Sequence, residues 1–389
     1  KTPMTILENN CMQSTASSAG YSTGGTLGSA FAAYMILSGH PLPLPLTLAW
    51  VFFLAVLGVT MAIPMKKQMI NIEQLPFPSG IAAAETLRAL HAHGAKGLRA
   101  AKALGVACVA AAADKFWAEG LALLGSRWAA FSSAELTTRF EKWIFGSSYA
   151  ALKGHTVMFA WDAIFVAAGA IMGLRVCVTM FVSGTLCWGV FVPLLQRHGV
   201  ATGSGFRELV QWTLWGGTAC MVTGGLLGFL LQWRSVTRAF RSLGGMFSRK
   251  RPALSEMEKV ETPMSWFAAG QIVSLIALGW LAHASFAMPF WQSALAVALS
   301  FALALVACRI TGETDTTPTG ALGKVTQLTF GALNPGNIYV NLMAANITSG
   351  AATSSADLLT DLKSGYLLGA NPRKQFIAQF AGIFVGTLV

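Results

Sequence analysis

Charge is the scarcest property of this 389-residue chain. Only 11% of its residues are Asp, Glu, Lys or Arg, against roughly 25% in soluble globular proteins. Uncharged apolar runs of about 18 residues or more are typical of membrane-spanning helices. The composition therefore excludes a soluble enzyme, a nucleic-acid-binding module and a secreted disulfide scaffold, and it predicts an all-α polytopic membrane protein. The charge-free runs are 9–65, 176–196, 209–233, 262–308, 325–356 and 375–389.

Signatures of catalysis and metal binding are also missing. The six cysteines lie inside apolar segments without ligand-like spacing, so neither a zinc site nor a disulfide framework is expected. His91 and His93 are two residues apart and would point to different faces of a helix. The sequence contains no nucleophile elbow, P-loop or dinucleotide fingerprint. We therefore expect no enzyme activity, no metal site and no bound cofactor.

The net charge of +11 reflects membrane topology rather than nucleic-acid binding. Seven cations fall in one polar stretch between apolar runs, which is the positive-inside pattern of a cytoplasmic loop. The segment 232–263 is therefore predicted to be a cytoplasmic basic loop, and the lipid bilayer is the expected partner. The seven are Arg234, Arg238, Arg241, Arg249, Lys250, Arg251 and Lys259.

The segment 325–355 is too short to cross a membrane twice, because one crossing takes about 20 residues. Both of its flanks carry charges of the cytoplasmic type, so we predict a re-entrant hairpin. If a helix resumes after Gly336, then Asn337, Asn341 and Thr348 form one polar stripe, with Asn346 nearby. These side chains either join helices or coordinate a substrate.

A second polar segment lies near the start of the chain. Residues 8–25 are dense in hydroxyl, amide and glycine residues within an uncharged run. Two interpretations stand: a closely packed helix interface built from small residues, or the wall of a pore or substrate cavity. The polar side chains of interest are Glu8, Asn9, Gln13, Ser14 and Tyr21.

Two prolines hold residues 71–80 extended ahead of a predicted helix, with Ser79 as its N-cap. A helix N-terminus fixed in this way directs its dipole and unpaired N–H groups at a ligand, as the broken helices of transporters do with anionic substrate groups. Glu73 and Phe77 precede this helix and Glu85 lies within it.

Three carboxylates in apolar surroundings receive different interpretations. With Ser354 as an N-cap, Asp357 occupies a capping-box position, whereas Asp361 has no such explanation. Asp162 is the single charge in 154–174, which makes it a functional candidate. It could bind a proton, or it could form an ion pair with the helix that carries Asp114 and Lys115.

Several motifs in one order resemble the oligopeptide transporter (OPT) superfamily, which includes the yellow-stripe-like metal–chelate transporters. The resemblance covers essentially the whole chain and is closest to prokaryotic members. The motifs are Glu8-Asn9 with the Ser/Ala/Gly run after it, LPFPSG at 75–80 with Ala84-Glu85, GETD at 312–315, GKVTQ at 323–327, NLMAAN at 341–346, and DLLTDLKSG at 357–365 with GANPR at 369–373.

The resemblance implies a multi-span helical bundle with broken or re-entrant helices. It also implies secondary active transport, generally driven by protons, of small peptides or metal–chelate complexes across the bacterial inner membrane. Residues 1–389 would form a single transmembrane domain that lacks the family's first span and C-terminal part. A passive channel remains the alternative, then an integral-membrane enzyme, and a homo-oligomer is compatible with the sequence.

We place a central substrate cavity among thirteen residues and assign proton coupling to Asp162. This hypothesis predicts that Asn341→Ala or Glu85→Gln abolishes uptake while expression and monodispersity survive. The thirteen are Glu8, Asn9, Gln13, Ser14, Tyr21, Glu73, Phe77, Ser79, Glu85, Asn337, Asn341, Asn346 and Asp361.

Overall fold

The prediction of an all-α polytopic membrane protein is confirmed. The computed structural model describes residues 4–92, 94–121, 131–154, 163–200, 205–231 and 260–388, and the regular structure in these ranges is helical throughout. Within the described part of the chain, four helical stretches are long and apolar enough to cross a membrane: Leu44–Ile72, Leu174–Arg197, Met264–Phe286 and Phe290–Thr314.

The chain divides into two compact units, Lys1–Arg88 with Thr218–Val389, and Ala89–Gly217. The first contains α1 (Ile6–Ser38), α2 (Leu44–Lys66), most of α3 (Pro78–Leu90), the end of α10 (Phe206–Leu231), α11 (Met264–Phe286), α12 (Phe290–Thr314), α13 (Thr319–Leu333), α14 (Ile338–Leu368) and α15 (Pro372–Leu388). The second contains the start of α10 and α4 (Gly94–Lys115), α5 (Ser133–Phe145), α6 (Tyr149–Gly154), α7 (Ala163–Met172), α8 (Leu174–Leu186) and α9 (Val192–Arg197).

Helix α14 lies at the centre of the first unit, where it packs against α1, α2, α12 and α13. Small residues let these neighbours approach closely, and Ala344, Ala351 and Ala356 are fully buried. The prediction of a helix beginning at Ser354 is wrong, because Ser354 and Asp357 lie within the uninterrupted helix α14. A Ser-x-x-Asp pattern caps a helix only where the chain actually enters one.

Helices α13 and α14 pack against each other across a short break at residues 334–337. Asn337 is the N-cap of α14, since its side-chain oxygen accepts a hydrogen bond of 3.1 Å from the backbone N–H of Val340. It therefore precedes the helix and does not share a polar stripe with Asn341. Helix α13 has 15 residues, which corresponds to about 22 Å. The re-entrant position of this pair in a membrane stays a prediction.

Helix α2 continues into a π-helix over Lys67–Ile72, followed by irregular backbone. We call residues 67–77 the strap. Gln74 (φ 55°) and Phe77 (φ 43°) adopt left-handed backbone conformations, which are uncommon for residues other than glycine. Residues 232–259 of the predicted basic loop lie outside the described residues.

The second unit is smaller and its buried core is correspondingly small. Val192 and Leu209 are fully buried and pack against Trp188 and Leu195. Helix α5 begins at a regular N-cap, where the hydroxyl of Ser132 accepts a hydrogen bond of 3.4 Å from the backbone N–H of Glu135. Many large apolar side chains of this unit are exposed, including Trp143 and Phe181.

Candidate functional site

Polar side chains from α1, α14 and α15 meet in the interior of the first unit. Each helix contributes a pair spaced four residues apart, and residues at this spacing lie on one helix face. Because α1 packs against both α14 and α15, the three polar faces come together. The pairs are Ser14 and Ser18, Asp357 and Asp361, and Gln375 and Gln379.

Hydrogen bonds between side chains connect these faces. Gln13 donates from Nε2 to Oδ1 of Asp361 at 2.9 Å. Gln375 donates to the hydroxyl of Ser14 at 2.8 Å, and Ser18 donates to the backbone oxygen of Gln379 at 2.7 Å. Buried polar groups are costly unless they are hydrogen-bonded, so this network fixes α1 against the two other helices.

Asp361 is 3% exposed and has an amide donor for each carboxylate oxygen. Gln13 reaches Oδ1. With its amide nitrogen turned towards α14, Gln379 donates to Oδ2 of Asp361 at 3.0 Å and to the backbone oxygen of Ser14 at 2.9 Å. Side-chain amide orientations follow from the surrounding hydrogen bonds, and this orientation satisfies both groups.

Asp357 lies one helical turn from Asp361 in a different environment. Its Oδ2 is buried and has no hydrogen-bond partner among the described residues. It lines a pocket near the middle of α14 whose cavity volume is about 10 Å³, which is room for about one water molecule. We call this the mid-helix pocket, and its lining consists of Ser18, Tyr21, Ala55, Val59, Ser354, Asp357, Gln379 and Ile383.

The tight contact between α1 and α15 depends on a glycine. A Cβ added at Gly382 would lie 2.3 Å from the backbone oxygen of Thr15 and 2.8 Å from Cβ of Ser18. The hydroxyl of Thr15 donates to the backbone oxygen of Ala378 at 3.1 Å. The run of small residues in α1 is therefore a packed interface and, at Ser18 and Tyr21, also a pocket wall.

The strap and the start of α3 form a second polar region at one end of α12. Glu73 accepts a hydrogen bond of 2.9 Å from Arg309, which also lies 3.4 Å from Glu313. Phe77 is fully buried, and its backbone N–H donates to the carbonyl of Gly312 at 2.8 Å. The left-handed backbone at Phe77 is thus held by α12.

The prediction that Ser79 is an N-cap is wrong, because α3 begins one residue earlier at Pro78. The carboxylate of Asp315 accepts the backbone N–H of Ser79 at 3.0 Å and also the Ser79 hydroxyl hydrogen bond. The N–H and hydroxyl groups of Ser79, which were expected to hold an anionic ligand, therefore bind the carboxylate of Asp315 instead. The dipole of α3 favours a negative charge at this position.

Other predicted site residues have structural contacts outside the mid-helix pocket. Glu8 is the N3 residue of a capping box with Thr5, and the exposed Glu85 pairs with Arg88. The buried Asn346 accepts a hydrogen bond of 2.8 Å from the indole N–H of Trp50.

Asn9 and Asn341 are partly buried, and Asn341 has a buried Oδ1 without a hydrogen-bond partner in the described ranges. Asp162 lies outside the described residues. Among the residues that the structure describes, no three His, Cys, Asp or Glu side chains group as metal ligands.

The structure brings four predicted site residues together around the polar faces: Gln13, Ser14, Tyr21 and Asp361. Sequence reasoning missed their partners Ser18, Ser354, Gln375 and Gln379, and it explained Asp357 as a helix cap. A usable signal existed, because Gln375 and Gln379 repeat at i, i+4 within an uncharged run. The same spacing at Asp357 and Asp361 would have indicated a matching polar face.

Comparison with known proteins identifies the family. The family model described as OPT oligopeptide transporter protein matches residues 1–389. A relative in Saccharomyces cerevisiae, named for inferred oligopeptide transport, is 23% identical over 86% of this chain and 60% of its own length. An Arabidopsis thaliana relative named for inferred metal–nicotianamine transport is 25% identical over 100% of this chain and 59% of its own.

A bacterial relative is similar to the same extent. The protein from Haemophilus influenzae, also named for inferred oligopeptide transport, is 24% identical over 99% of this chain and 63% of its own length. The chain thus spans about three-fifths of the length of these relatives. It is an integral membrane protein that belongs to the OPT oligopeptide transporter family, a family of transporters and not of enzymes.

Proposed function

We propose that the full-length protein is a secondary active transporter of small peptides or metal–chelate complexes, driven by protons across the bacterial inner membrane. The observation that carries the proposal is the mid-helix pocket, where Asp357 faces α1, α2 and α15 halfway along a buried helix. An ionisable group at such a depth is expensive to maintain and is characteristic of ion and substrate pathways. The family membership and the names of the relatives support the same substrate classes.

The chemistry of the pocket suits substrates that present carboxylate, amine and amide groups. Tyr21 and Ser354 supply hydroxyl groups and Gln379 an amide, beside the aliphatic side chains of Ala55 and Ile383. Peptides and peptide-like chelators both offer hydrogen-bond donors and acceptors to such groups. The pocket therefore supports both substrate classes equally.

The size of the pocket favours a carrier that changes conformation. Ligand sites are usually about 300–1,000 Å³, whereas the mid-helix pocket has a cavity volume of about 10 Å³. A tripeptide or a chelate therefore fits only when helices separate or when other parts of the full-length protein contribute space. Alternating access around a fixed midplane site provides such a separation.

The distribution of charges supports an assignment of the cytoplasmic side. We propose that the basic segment 232–263 faces the cytoplasm, because short cytoplasmic loops carry an excess of Lys and Arg. The strap belongs to the same side in this arrangement, since Lys66 and Lys67 follow the apolar run of α2. The pocket then lies between the strap and the opposite membrane surface.

A flux measurement tests the proposal. The full-length protein is reconstituted into liposomes with a trapped pH dye and an inward proton gradient. The vesicles are challenged separately with a pool of tri- to hexapeptides and with ferric and other metal–chelate complexes. Internal acidification that depends on one pool supports proton-coupled symport and identifies the substrate class.

Two results would contradict the proposal. If neither pool acidifies the vesicle interior, and folded protein is demonstrated in the same vesicles, proton-coupled transport of these substrates is refuted. Substrate flux that neither saturates nor moves protons would instead favour a passive channel. Empty liposomes treated with the same pools provide the control for passive leak.

A further inference from the structure

The two carboxylates of α14 have no cationic partner among the described residues. Asp357 and Asp361 lie on one face of the helix, and the hydrogen bonds to Asp361 in the described structure all come from neutral side chains. The nearby cations are engaged elsewhere: Lys66 pairs with Glu261 and Arg309 with Glu73. The ammonium group of Lys363, on α14 itself, lies over the ring of Tyr366. The pair therefore carries negative charge that the described chain leaves uncompensated.

Uncompensated charge of this kind has to be balanced. Side chains four residues apart on a helix have Cβ atoms about 5–6 Å apart, and a buried charge without a partner is strongly destabilising. A positive charge from outside the described chain lowers that cost. The candidates are a proton bound to one carboxylate or a small cation held between the two.

The hydrogen bonding of the two carboxylates gives them different roles. Both oxygens of Asp361 accept a hydrogen bond from an amide, Oδ1 from Gln13 and Oδ2 from Gln379, and these bonds favour the charged carboxylate. Oδ2 of Asp357 has no donor in the described structure, and the side chain lines the pocket. Asp357 therefore offers an oxygen without a donor for a proton, whereas at Asp361 two amide hydrogen bonds stabilise the unprotonated form.

The other groups that face Asp357 are uncharged under ordinary conditions. Helix α1 presents the Tyr21 hydroxyl and α12 presents the Cys308 thiol, and both groups are neutral in water near pH 7. Among the described lining residues, α2 contributes Ala55 and Val59, and α15 contributes Gln379 and Ile383. Asp357 is the one carboxylate among the side chains that line the mid-helix pocket.

We propose that Asp357 is the coupling carboxylate of the transporter, with Asp361 as the fixed charge beside it. A proton from one side of the membrane binds Oδ2 of Asp357, which forms a neutral carboxylic acid and removes one negative charge from the pocket. The proton leaves to water on the other side with the substrate. This assignment rests on the proposed function, and it competes with the sequence-based assignment of coupling to Asp162.

The test separates coupling from transport itself. Full-length wild type, Asp357→Asn and Asp162→Asn are reconstituted in parallel, with Glu135→Gln as a control at an exposed carboxylate of α5. Two activities are measured with the peptide or metal–chelate pool that wild type transports. The first is gradient-driven accumulation with internal acidification, and the second is exchange of labelled for unlabelled substrate without a gradient.

Asp357→Asn is expected to lose acidification and to accumulate no substrate above the external concentration. Its exchange rate should stay within about twofold of wild type. In exchange the transport site changes sides with substrate bound in both directions, so no net movement of protons is needed. Glu135→Gln should behave like wild type. Asp162→Asn should keep wild-type acidification per substrate, which is the opposite of what the sequence-based assignment of coupling to Asp162 predicts. A merely structural role for Asp357 would lower exchange and accumulation together.

Three results would overturn the assignment. The first is that Asp357→Asn still acidifies the vesicles as much per substrate as wild type. The second is that folded Asp357→Asn loses exchange together with accumulation. The third is that Asp162→Asn loses coupling while Asp357→Asn keeps it. Wild-type accumulation driven by sodium without acidification would also contradict a proton at this site. A wild type that transports neither pool refutes the proposed function and this assignment with it.

A second variant keeps the test decisive if Asp357→Asn does not fold. Asp357→Glu keeps the carboxyl group but moves it by one methylene, so acidification should persist with a shifted pH profile. A pH profile of uptake identical to that of wild type would overturn the assignment, since a displaced proton-binding group titrates differently.

Discussion

Substitution of Gly58 by alanine tests the packing that builds the mid-helix pocket. Gly58 lies in α2 where this helix crosses α14. A Cβ added there would lie 2.5 Å from the backbone oxygen of Ala351 and 2.6 Å from Cβ of Ser354. The hydroxyl of Ser355 also donates to the backbone oxygen of Gly58 at 2.6 Å.

The geometry sets the size of the effect. Carbon atoms in contact are about 3.5–4.0 Å apart, so α2 has to move away from α14 by about 1 Å. Inserting a methyl group into a packed core costs about 1–3 kcal/mol. The higher helix propensity of alanine relative to glycine offsets about 0.5–1 kcal/mol of this cost. The net loss of stability is then between about 0 and 2.5 kcal/mol, and the two backbone and Cβ contacts below 3 Å favour the upper half of this range.

Thermal denaturation of the full-length protein in detergent measures this loss, with fluorescence-detected size-exclusion chromatography as the readout. Gly20→Ala is the matched control, because an added Cβ at Gly20 in α1 meets nothing within 4 Å. Gly58→Ala should melt below wild type, whereas Gly20→Ala should melt at or slightly above it. Equal melting of the two variants would refute the close approach of α2 and α14.

Three further predictions concern other contacts. Trp50→Phe removes the donor to Oδ1 of Asn346 and should cost about 1–3 kcal/mol, measured as a lower melting temperature; an unchanged temperature would contradict the bond. Glu73→Gln replaces a charged hydrogen bond to Arg309 by a neutral one and should cost about 1 kcal/mol, with a smaller difference from wild type in high salt; an unaltered melting curve would argue against it. The sequence-based hypothesis predicts that Asn341→Ala, near the start of α14 and outside the mid-helix pocket, loses uptake while expression and monodispersity survive; normal uptake would remove Asn341 from the transport path.

Much of the fold could be predicted from where charge is absent. The runs without charge contain α2, α11 and most of α12, because a membrane helix satisfies its backbone internally and only its side chains need to be apolar. The break near Gly336 was also predictable, since Asn, Pro and Gly are typical of turns. These features depend on residues close together in the chain.

The site was less predictable because its contacts are long-range. Gln13 and Asp361 are separated by 348 residues, and Ser79 and Asp315 by 236. Local pattern made Asp357 and Ser79 resemble residues at helix starts, but tertiary packing placed Asp357 mid-helix and supplied Ser79 with a carboxylate from α12. A capping pattern does not reveal which helix lies opposite.

The most direct test of the central claim is substrate protection of a cysteine placed in the mid-helix pocket. Ser354→Cys is introduced into a variant of the full-length protein whose native cysteines are all replaced. Labelling with a small charged thiol reagent is then measured with and without the transported pool. Ile276→Cys, on the exposed face of α11, is the control for thiols outside the pocket. We predict that Ser354→Cys is labelled and that substrate slows its labelling, while Ile276→Cys is unaffected by substrate. If Ser354→Cys is labelled at the same rate with and without substrate, the placement of the transport site between α1, α2, α14 and α15 is contradicted.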